Sequence, residues 1–251
     1  MKNVIIAGAT GMVGGLVLQH CLHSPDIHKV TIIVRRSTGI VNEKLMEVIH
    51  NDFTDYVSIE EHFKNQDIAY YCLGVYTGAV PRDEFRTITV DYTKAFADAL
   101  KKHSPGATFC FLSGQGADQT ETSRVMFARD KGIAENFLIS QKFGQSYIFR
   151  PAYIYPSTPR KEPNMSYRIM RALYPIFKAL YPNGVITSDD LARAIFITGL
   201  NGGNKTILEN RRLLKFTCLR RFPNTEGIPH TAAFAHAITH GNIGFYFKKR
   251  S

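Results

Sequence analysis

Short runs of β-branched and aromatic residues alternate with longer segments of helical hydrophobic period along most of the chain. The strand-like runs cover residues 4–7, 30–34, 47–49, 68–72, 108–112 and 147–149, and the clearest helical segments cover residues 13–23, 90–103 and 124–141. Strands that alternate with helices are joined by crossovers and pair in parallel. The pattern therefore predicts an α/β fold, a doubly wound parallel sheet with helices on both faces.

A later helix is marked at both ends. It covers residues 191–200, with Ser188 as the expected N-cap and a Gly-Gly pair just beyond its last turn. Domain-like patterning continues to about Asn210, so we expect one domain over residues 1–210. Residues 211–251 show no clean period and are interpreted as a basic C-terminal tail whose structure the pattern does not define.

The composition is that of an ordinary globular protein, with 44% hydrophobic and 21% charged residues among 251. It excludes a disordered, collagenous or disulfide-dense chain. The net charge of +10 is concentrated in residues 211–251, which hold eight Lys and Arg residues against one acidic residue. Because the chain shows no helix-turn-helix, zinc finger or interleaved aromatic pattern, this excess does not predict specific nucleic-acid binding.

Metal-binding and disulfide patterns are weak. Four cysteines are dispersed without a CxxC pair: Cys21, Cys72, Cys110 and Cys218. His236 and His240 have helical metal-ligand spacing, but no Glu follows His236, so we expect no metal site. The N-terminal apolar run is too short for a signal peptide, and no stretch reaches the length of a spanning helix. The expected location is cytoplasmic, with no transmembrane segment.

The most informative motif is a glycine loop, GxxGxxG, between the first predicted strand and the first predicted helix. It comprises Gly8, Ala9, Thr10, Gly11, Met12, Val13 and Gly14. The first two glycines allow a turn and a close approach of a pyrophosphate, and the third allows helix and strand to pack together. The motif thus predicts dinucleotide binding on a Rossmann-type sheet, against the alternative of a glycine-rich turn in another α/β fold.

The end of the second predicted strand selects between the two nicotinamide cofactors. Arg35 and Arg36 stand there, and no Asp or Glu is present to bind a ribose 2′-hydroxyl. A guanidinium group binds a 2′-phosphate through two parallel hydrogen bonds. We therefore expect NADP(H) rather than NAD(H), the alternative being that both arginines are merely solvated.

Other cofactor contacts follow from the rule that ligands bind at the carboxyl ends of parallel strands. Asp52 and Phe53 follow the third strand and are expected beside the adenine. Leu73 and Gly74 follow the fourth strand and are expected to pass the ribose and phosphates. Each pair also has an ordinary structural explanation, a turn Asp and a loop Gly.

With these motifs, residues 1–210 resemble the atypical short-chain dehydrogenase/reductase superfamily, near the Tat-interacting-protein-like and NmrA-like NAD(P)H-binding proteins. The resemblance also includes Ser113 after the fifth strand, Lys131 in the next helix, and Arg150 with Pro151 after the sixth. It implies a cofactor contact for Lys131, Arg150 and Pro151, and a catalytic role for Ser113 and Lys131. In this family the Ser polarises a substrate carbonyl, a Tyr exchanges the proton, and the Lys contacts the nicotinamide ribose.

The chain departs from the family at the tyrosine. Phe127 stands four residues before Lys131 and has no hydroxyl to donate or accept a proton. Tyr153 and Tyr155 are candidates for a substitute acid, whereas a literal YxxxK at residues 174–178 falls too late in the chain. Two functions stay open: a weak or altered oxidoreductase on a small carbonyl or alcohol, and a catalytically impaired NADPH-binding regulator or scaffold.

Two features concern substrate and partners. Residues 166–181 form an amphipathic basic segment, interpreted as a lid over the substrate cleft, with a membrane-surface or partner helix as the alternative. The expected partners are a small-molecule substrate or a protein, and a homodimer is a further possibility.

Overall fold

Seven parallel strands form the main sheet of the computed structural model, which describes residues 1–157 and 182–215. The strands are β1 Lys2–Ala7, β2 Ile27–Val34, β3 Leu45–Ile49, β4 Ile68–Tyr71, β5 Thr108–Leu112, β6 Gln145–Arg150 and β9 Ile207–Glu209. Their order is β3-β2-β1-β4-β5-β6-β9, and each neighbouring pair is parallel. The predicted doubly wound Rossmann-type α/β fold is confirmed.

Helices connect these strands on both faces of the sheet. They are α1 Met12–His23, α2 Arg82–Arg86, α3 Tyr92–His103, α4 Met126–Ser140, α5 Ser188–Asn201 and α6 Asn210–Leu213, with a π-turn at Thr87–Asp91 and 3₁₀ turns at Val57–Phe63 and Pro182–Gly184. The helix predicted over residues 90–103 is therefore the last part of a longer helical run that begins at Arg82.

Each face of the sheet carries its own hydrophobic core, because successive residues of a strand point to opposite sides. Val4 and Ile6 of β1 pack in the cluster beneath α1 and α5, whereas Ile5 and Ala7 pack in the cluster beneath α3 and α4. All four are fully buried. A strand covered on both faces has to be apolar throughout, which explains the unbroken apolar run before the glycine loop.

Two local predictions are corrected by the structure. The N-cap of α5 is Thr187, whose Oγ1 accepts from the amide of Asp190 at 3.1 Å, while Ser188 is the buried first residue of the helix. The fourth strand ends at Tyr71, one residue before the predicted end. The hydrophobic core includes Leu213, close to the domain boundary predicted at about residue 210.

Three short strands were not predicted. β7 at Tyr153–Tyr155 and β8 at Val185–Thr187 pair in parallel as a separate sheet, and β9 at Ile207–Glu209 extends the main sheet beside β6. Each has three residues, too few to show a period of two. The predicted lid, residues 166–181, and the YxxxK at residues 174–178 lie outside the described residues. So does the predicted tail beyond residue 215.

Candidate cofactor and catalytic site

The glycine loop lies at the carboxyl edge of the sheet, between the ends of β1 and β4. Gly8 has φ +84°, and a Cβ there would stand 2.6 Å from the carbonyl carbon of Cys72 and the amide nitrogen of Leu73. A Cβ on Gly14 would overlap the backbone carbonyl of Gly8. The loop turns back on itself through the amide of Gly11, which donates to the Gly8 carbonyl at 2.9 Å. Two of the three glycines are therefore required by close backbone packing.

The loop leads directly into α1, whose first-turn amide groups have no side-chain cap. Gly11 is the N-cap and supplies no side-chain hydrogen bond, and the first turn holds no acidic residue. Ala9 and Val13 are buried, whereas Thr10 and Gly11 are exposed. Unpaired N–H groups at the positive end of a helix favour an anion. The geometry fits a pyrophosphate, the group that the motif predicted.

The end of β2 presents both predicted arginines to solvent. Arg35 and Arg36 are exposed, and the loop after them is held by Glu47 of β3. Glu47 accepts from the Ser37 hydroxyl at 2.6 Å and from the Thr38 amide at 3.0 Å. Partial burial alone would raise the pKa of Glu47, but these hydrogen bonds outweigh it and hold the pKa below its ordinary value.

Sequence reasoning missed Glu47 because its partners stand nine and ten residues away, across a turn. Its charge faces Ser37 and Thr38, so it fixes the loop that carries the arginines. A fixed loop presents Arg35 and Arg36 together at the strand end.

An aromatic group lies next to the predicted adenine contacts. The ring of Phe53 is buried and stands 5.6 Å from the ring of Tyr92 on α3. Asp52 is exposed, and hydrogen bonds from the Thr54 hydroxyl and amide lower its pKa. Burial raises the pKa of Tyr92, although the nearby guanidinium of Arg35 opposes the rise. Tyr92 thus lies near both Phe53, the predicted adenine contact, and Arg35, the predicted 2′-phosphate contact. Nothing in the sequence around the start of α3 indicated this position.

The segment after β4 passes close to the glycine loop. The amide of Cys72 donates to the carbonyl of Ala7 at 2.9 Å, which extends the β1–β4 pairing by one residue. Leu73 is half-buried, and Gly74 is exposed. A Cβ on Gly74 would meet nothing within 4 Å, so the space beside it is open.

A buried carboxylate lies behind Ser113. Glu135 of α4 has 0% of its surface exposed and accepts four hydrogen bonds: from the Ser113 hydroxyl at 2.5 Å, from Gln119 Nε2 at 3.1 Å, and from Arg150 Nε at 3.0 Å and Nη2 at 2.5 Å. Arg150 also pairs with Glu209 of β9 at 3.0 Å. We call this set the Glu135 network. The two carboxylates raise the pKa of Arg150, which remains fully charged.

Arg150 and Pro151 form hydrogen bonds with residues that surround Ser113. The guanidinium of Arg150 is engaged by the Glu135 network, and the carbonyl of Pro151 accepts from the amide of Gln115 at 2.8 Å. Their predicted contact with a cofactor stays a prediction. Sequence reasoning missed Glu135, because a Glu four residues after Lys131 on a helix reads as a surface ion-pair partner.

Lys131 is almost completely buried at the end of β5, with 8% of its surface exposed. Its Nζ donates to the carbonyl of Leu112 at 3.1 Å and stands 4.8 Å from the ring centroid of Phe111. Burial lowers the pKa of the Lys131 amine to about 8, although the nearby carboxylate of Glu135 opposes the shift. The amine therefore exchanges its proton close to neutral pH.

Phe127 lies one turn before Lys131 on α4, over the segment that follows Ser113. A Cβ on Gly114 would stand 2.5 Å from Cζ of Phe127, so this glycine allows the ring to lie on the backbone. The ring of Phe85 on α2 stands 6.5 Å away. The structure thus places an apolar ring beside Ser113, where the family pattern has a phenol.

The described residues hold no group of three or more His, Cys, Asp and Glu side chains arranged for a metal. His236, His240 and Cys218 lie outside them. Cys21, Cys72 and Cys110 carry free thiols, and burial raises the pKa of the Cys72 thiol to about 12. Within residues 1–157 and 182–215, no helix has the length and apolar character needed to cross a membrane.

Comparison with known proteins agrees with this geometry. A family model described as NAD(P)H-binding matches residues 8–196. Protein HTATIP2 of Rattus norvegicus is 26% identical over 220 residues, which cover 85% of this chain and 88% of that protein. The protein fmp52, mitochondrial, of Aspergillus niger is 28% identical over 181 residues, which cover 68% of this chain and 74% of that protein.

Solved structures share the fold. WbmH of Bordetella bronchiseptica in complex with NAD⁺ has a TM-score of 0.59 at 18% identity, over 89% of this chain and 84% of that one. The UDP-glucose 4-epimerase of Thermotoga maritima with UDP-glucose has a TM-score of 0.60 at 15% identity, over 85% and 80%. At these identities the likeness shows the fold alone. The family match covers more than half of the chain, which therefore belongs to the NAD(P)H-binding family of atypical short-chain dehydrogenase/reductase-like proteins.

Proposed function

We propose that this protein is an NADP(H)-dependent oxidoreductase that acts on a small carbonyl or alcohol substrate. The observation that carries the proposal is the convergence of the glycine loop, Ser113 and Lys131 at one edge of the sheet. Ligands of open parallel sheets bind at this edge.

The preference for NADP(H) over NAD(H) rests on the end of β2. Arg35 and Arg36 are exposed there, and the carboxylate of Glu47 is occupied by Ser37 and Thr38. The strand end therefore offers two cations to a 2′-phosphate and no unoccupied carboxylate to a ribose 2′-hydroxyl. Gly8 and Gly11 would admit the pyrophosphate, with Asp52 and Phe53 beside the adenine.

In this function Ser113 orients the substrate and Lys131 holds the nicotinamide ribose. Ser113 follows β5, and Lys131 lies on α4, the next helix along the chain. The two residues lie close together because the Lys131 amine donates to the carbonyl of Leu112, the residue before Ser113. General acid–base groups contribute about 10² to 10⁴ in rate. Since Phe127 lacks a hydroxyl, we expect slower turnover than in an enzyme with the full set of three residues.

A second function is favoured by Phe127 itself. Its ring packs on Gly114 and brings no proton donor to the site. A protein that kept the cofactor loop but lost the phenol would act as an NADPH-binding regulator or scaffold, responding to NADPH through a protein partner or a second copy of the chain.

The deciding experiment is calorimetric titration of the purified protein with NADPH, NADH and NADP⁺. The same samples are then assayed by nicotinamide absorbance against a panel of small aldehydes, ketones and quinones. NADPH binding with turnover supports the reductase, and tight NADPH binding without turnover supports the regulator. Absence of binding would contradict both.

The location of the protein is a separate proposal. We propose the cytoplasm, whereas the fmp52 relatives carry the word mitochondrial in their names. Fractionation of cells that express the protein, with cytosolic and mitochondrial marker enzymes, distinguishes the two compartments.

A further inference from the structure

The hydroxyl hydrogen of Ser113 is already used. It is donated to Oε1 of Glu135 at 2.5 Å, and a carboxylate paired with Arg150 offers only acceptors. Glu135 is fully buried, so water does not replace this contact. In this arrangement Ser113 presents lone pairs to a ligand and cannot donate a hydrogen bond to a carbonyl oxygen.

Phe127 supplies no donor either, because its ring ends in carbon. The neighbouring carboxylate of Asp130 is buried and lies 3.4 Å from Arg86, so it is directed toward α2. Of the three positions at which the family carries its Ser, Tyr and Lys, only Lys131 retains hydrogens to donate.

The Lys131 ammonium has three hydrogens, and the structure shows one of them on the carbonyl of Leu112. Two remain, one for a ribose hydroxyl and one for a substrate oxygen. We propose that Lys131 is the proton donor and acceptor of this site and that Glu135 is a positioning residue that holds Ser113 as a hydrogen-bond acceptor. This inference rests on the proposed reductase function and replaces the tyrosine step of the family.

The reaction balances with the cofactor already named. The carbonyl carbon receives a hydride with its electron pair from NADPH, which is oxidised to NADP⁺, and the carbonyl oxygen takes a proton from the Lys131 ammonium. The neutral amine then regains a proton from solvent. In the reverse direction Lys131 takes the hydroxyl proton of the alcohol.

The surroundings of the amine suit this exchange. Lys131 interacts electrostatically with two titratable groups, Glu135 on the same helix and Cys72 just after β4. Arg150 of β6 is paired with Glu135. The Cys72 thiol stays protonated because burial raises its pKa to about 12. The amine, with its pKa lowered by burial to about 8, is the group that titrates near neutrality, and an acid–base catalyst works best in that range.

The first test needs no turnover. Formaldehyde, the smallest aldehyde, is used with cyanoborohydride to dimethylate lysines with ¹³C, and the methyl resonances are followed against pH. We expect one resonance that titrates near pH 8 and is missing from Lys131→Arg. Failure of formaldehyde to reach Lys131, or titration near the ordinary lysine value of about 10.4, would overturn the inference.

The second test uses NADPH with 4-nitrobenzaldehyde and phenanthrenequinone as probes. Lys131→Arg keeps a cation for the ribose but cannot release its proton, since the guanidinium pKa exceeds 12. We expect kcat at saturating NADPH to be lower than in the parent by about 10² to 10⁴. In the parent, kcat for reduction should fall about tenfold per pH unit above pH 8, because the ammonium is lost there.

Three variants separate the alternatives. Phe127→Tyr supplies a second acid and should move the alkaline limb of the pH profile upward, whereas Tyr153→Phe and Tyr155→Phe should leave it in place. If the alkaline limb moves in Tyr153→Phe or in Tyr155→Phe, or if Lys131→Arg turns over at the rate of the parent, the proposed role of Lys131 is overturned. The reductase function would still stand. Absence of turnover with both probes in the parent and in Phe127→Tyr overturns the reductase function and the inference with it.

Discussion

Gly14 on α1 lies so close to Gly8 that a Cβ at position 14 would overlap the Gly8 carbonyl. The obstacle is backbone, which cannot rotate away as a side chain does. This contact brings the first turn of α1 against the end of β1 and gives the glycine loop its shape. The loop that predicts cofactor binding is thus also a packing element of the fold.

The first prediction concerns this contact. Gly14→Ala should destabilise the protein by about 1–3 kcal/mol through overpacking and should weaken NADPH binding at least about tenfold. Thermal unfolding and calorimetric titration measure the two effects. Gly106→Ala is the matched control, because a Cβ there would meet nothing within 4 Å and Gly106 precedes β5, at the edge of the sheet opposite the glycine loop. Equal behaviour of the two variants would show that Gly14 is not constrained by the Gly8 carbonyl.

The second prediction concerns the Glu135 network. Removing one member of a buried ion pair leaves the other charge without compensation, at a cost of about 3–5 kcal/mol. Glu135→Ala should therefore lower the free energy of unfolding by about this amount, measured by urea titration. Glu61→Ala removes an exposed carboxylate that pairs with Lys64, and it should leave the urea midpoint unchanged. A small effect of Glu135→Ala would mean that Arg150 finds sufficient support from Glu209.

The sequence was informative where a structural rule acts locally. Six of the nine described strands and the glycine loop were predictable, because an apolar run and a turn of glycines are signals within a few residues. Glu135 was not, because its importance comes from Arg150 on β6, fifteen residues later in the chain. Tyr92 was missed for a similar reason, since only the packing of α3 brings it to Phe53.

The third prediction concerns cofactor selection. Replacing Arg35 and Arg36 together by Ala should raise the Kd for NADPH by at least about tenfold and leave the Kd for NADH nearly unchanged, because only NADPH carries the 2′-phosphate. This difference in NADPH affinity between the parent and the double variant should become smaller as salt is added, since exposed charges are screened. Lys102→Ala, an exposed cation at the end of α3, is the control. Equal weakening of both cofactors would place the arginines outside the 2′-phosphate site.

The last prediction follows from the buried amine of Lys131. Its pKa is about 8 in the folded protein and about 10.4 in an unfolded chain, so the unfolded state binds more protons between these values. Stability then rises with pH through this window. Lys131→Met removes the effect, so the free energy of unfolding of the parent minus that of the variant should increase by about 2–3 kcal/mol between pH 7.5 and 10.5. Urea titrations of both proteins across this pH range measure the difference. Buried thiols and phenols also change stability in this range, but they are present in both proteins, so their contribution cancels in the difference. A difference that is flat with pH would mean that the folded amine keeps its ordinary pKa, and that it is not the group titrating near neutrality.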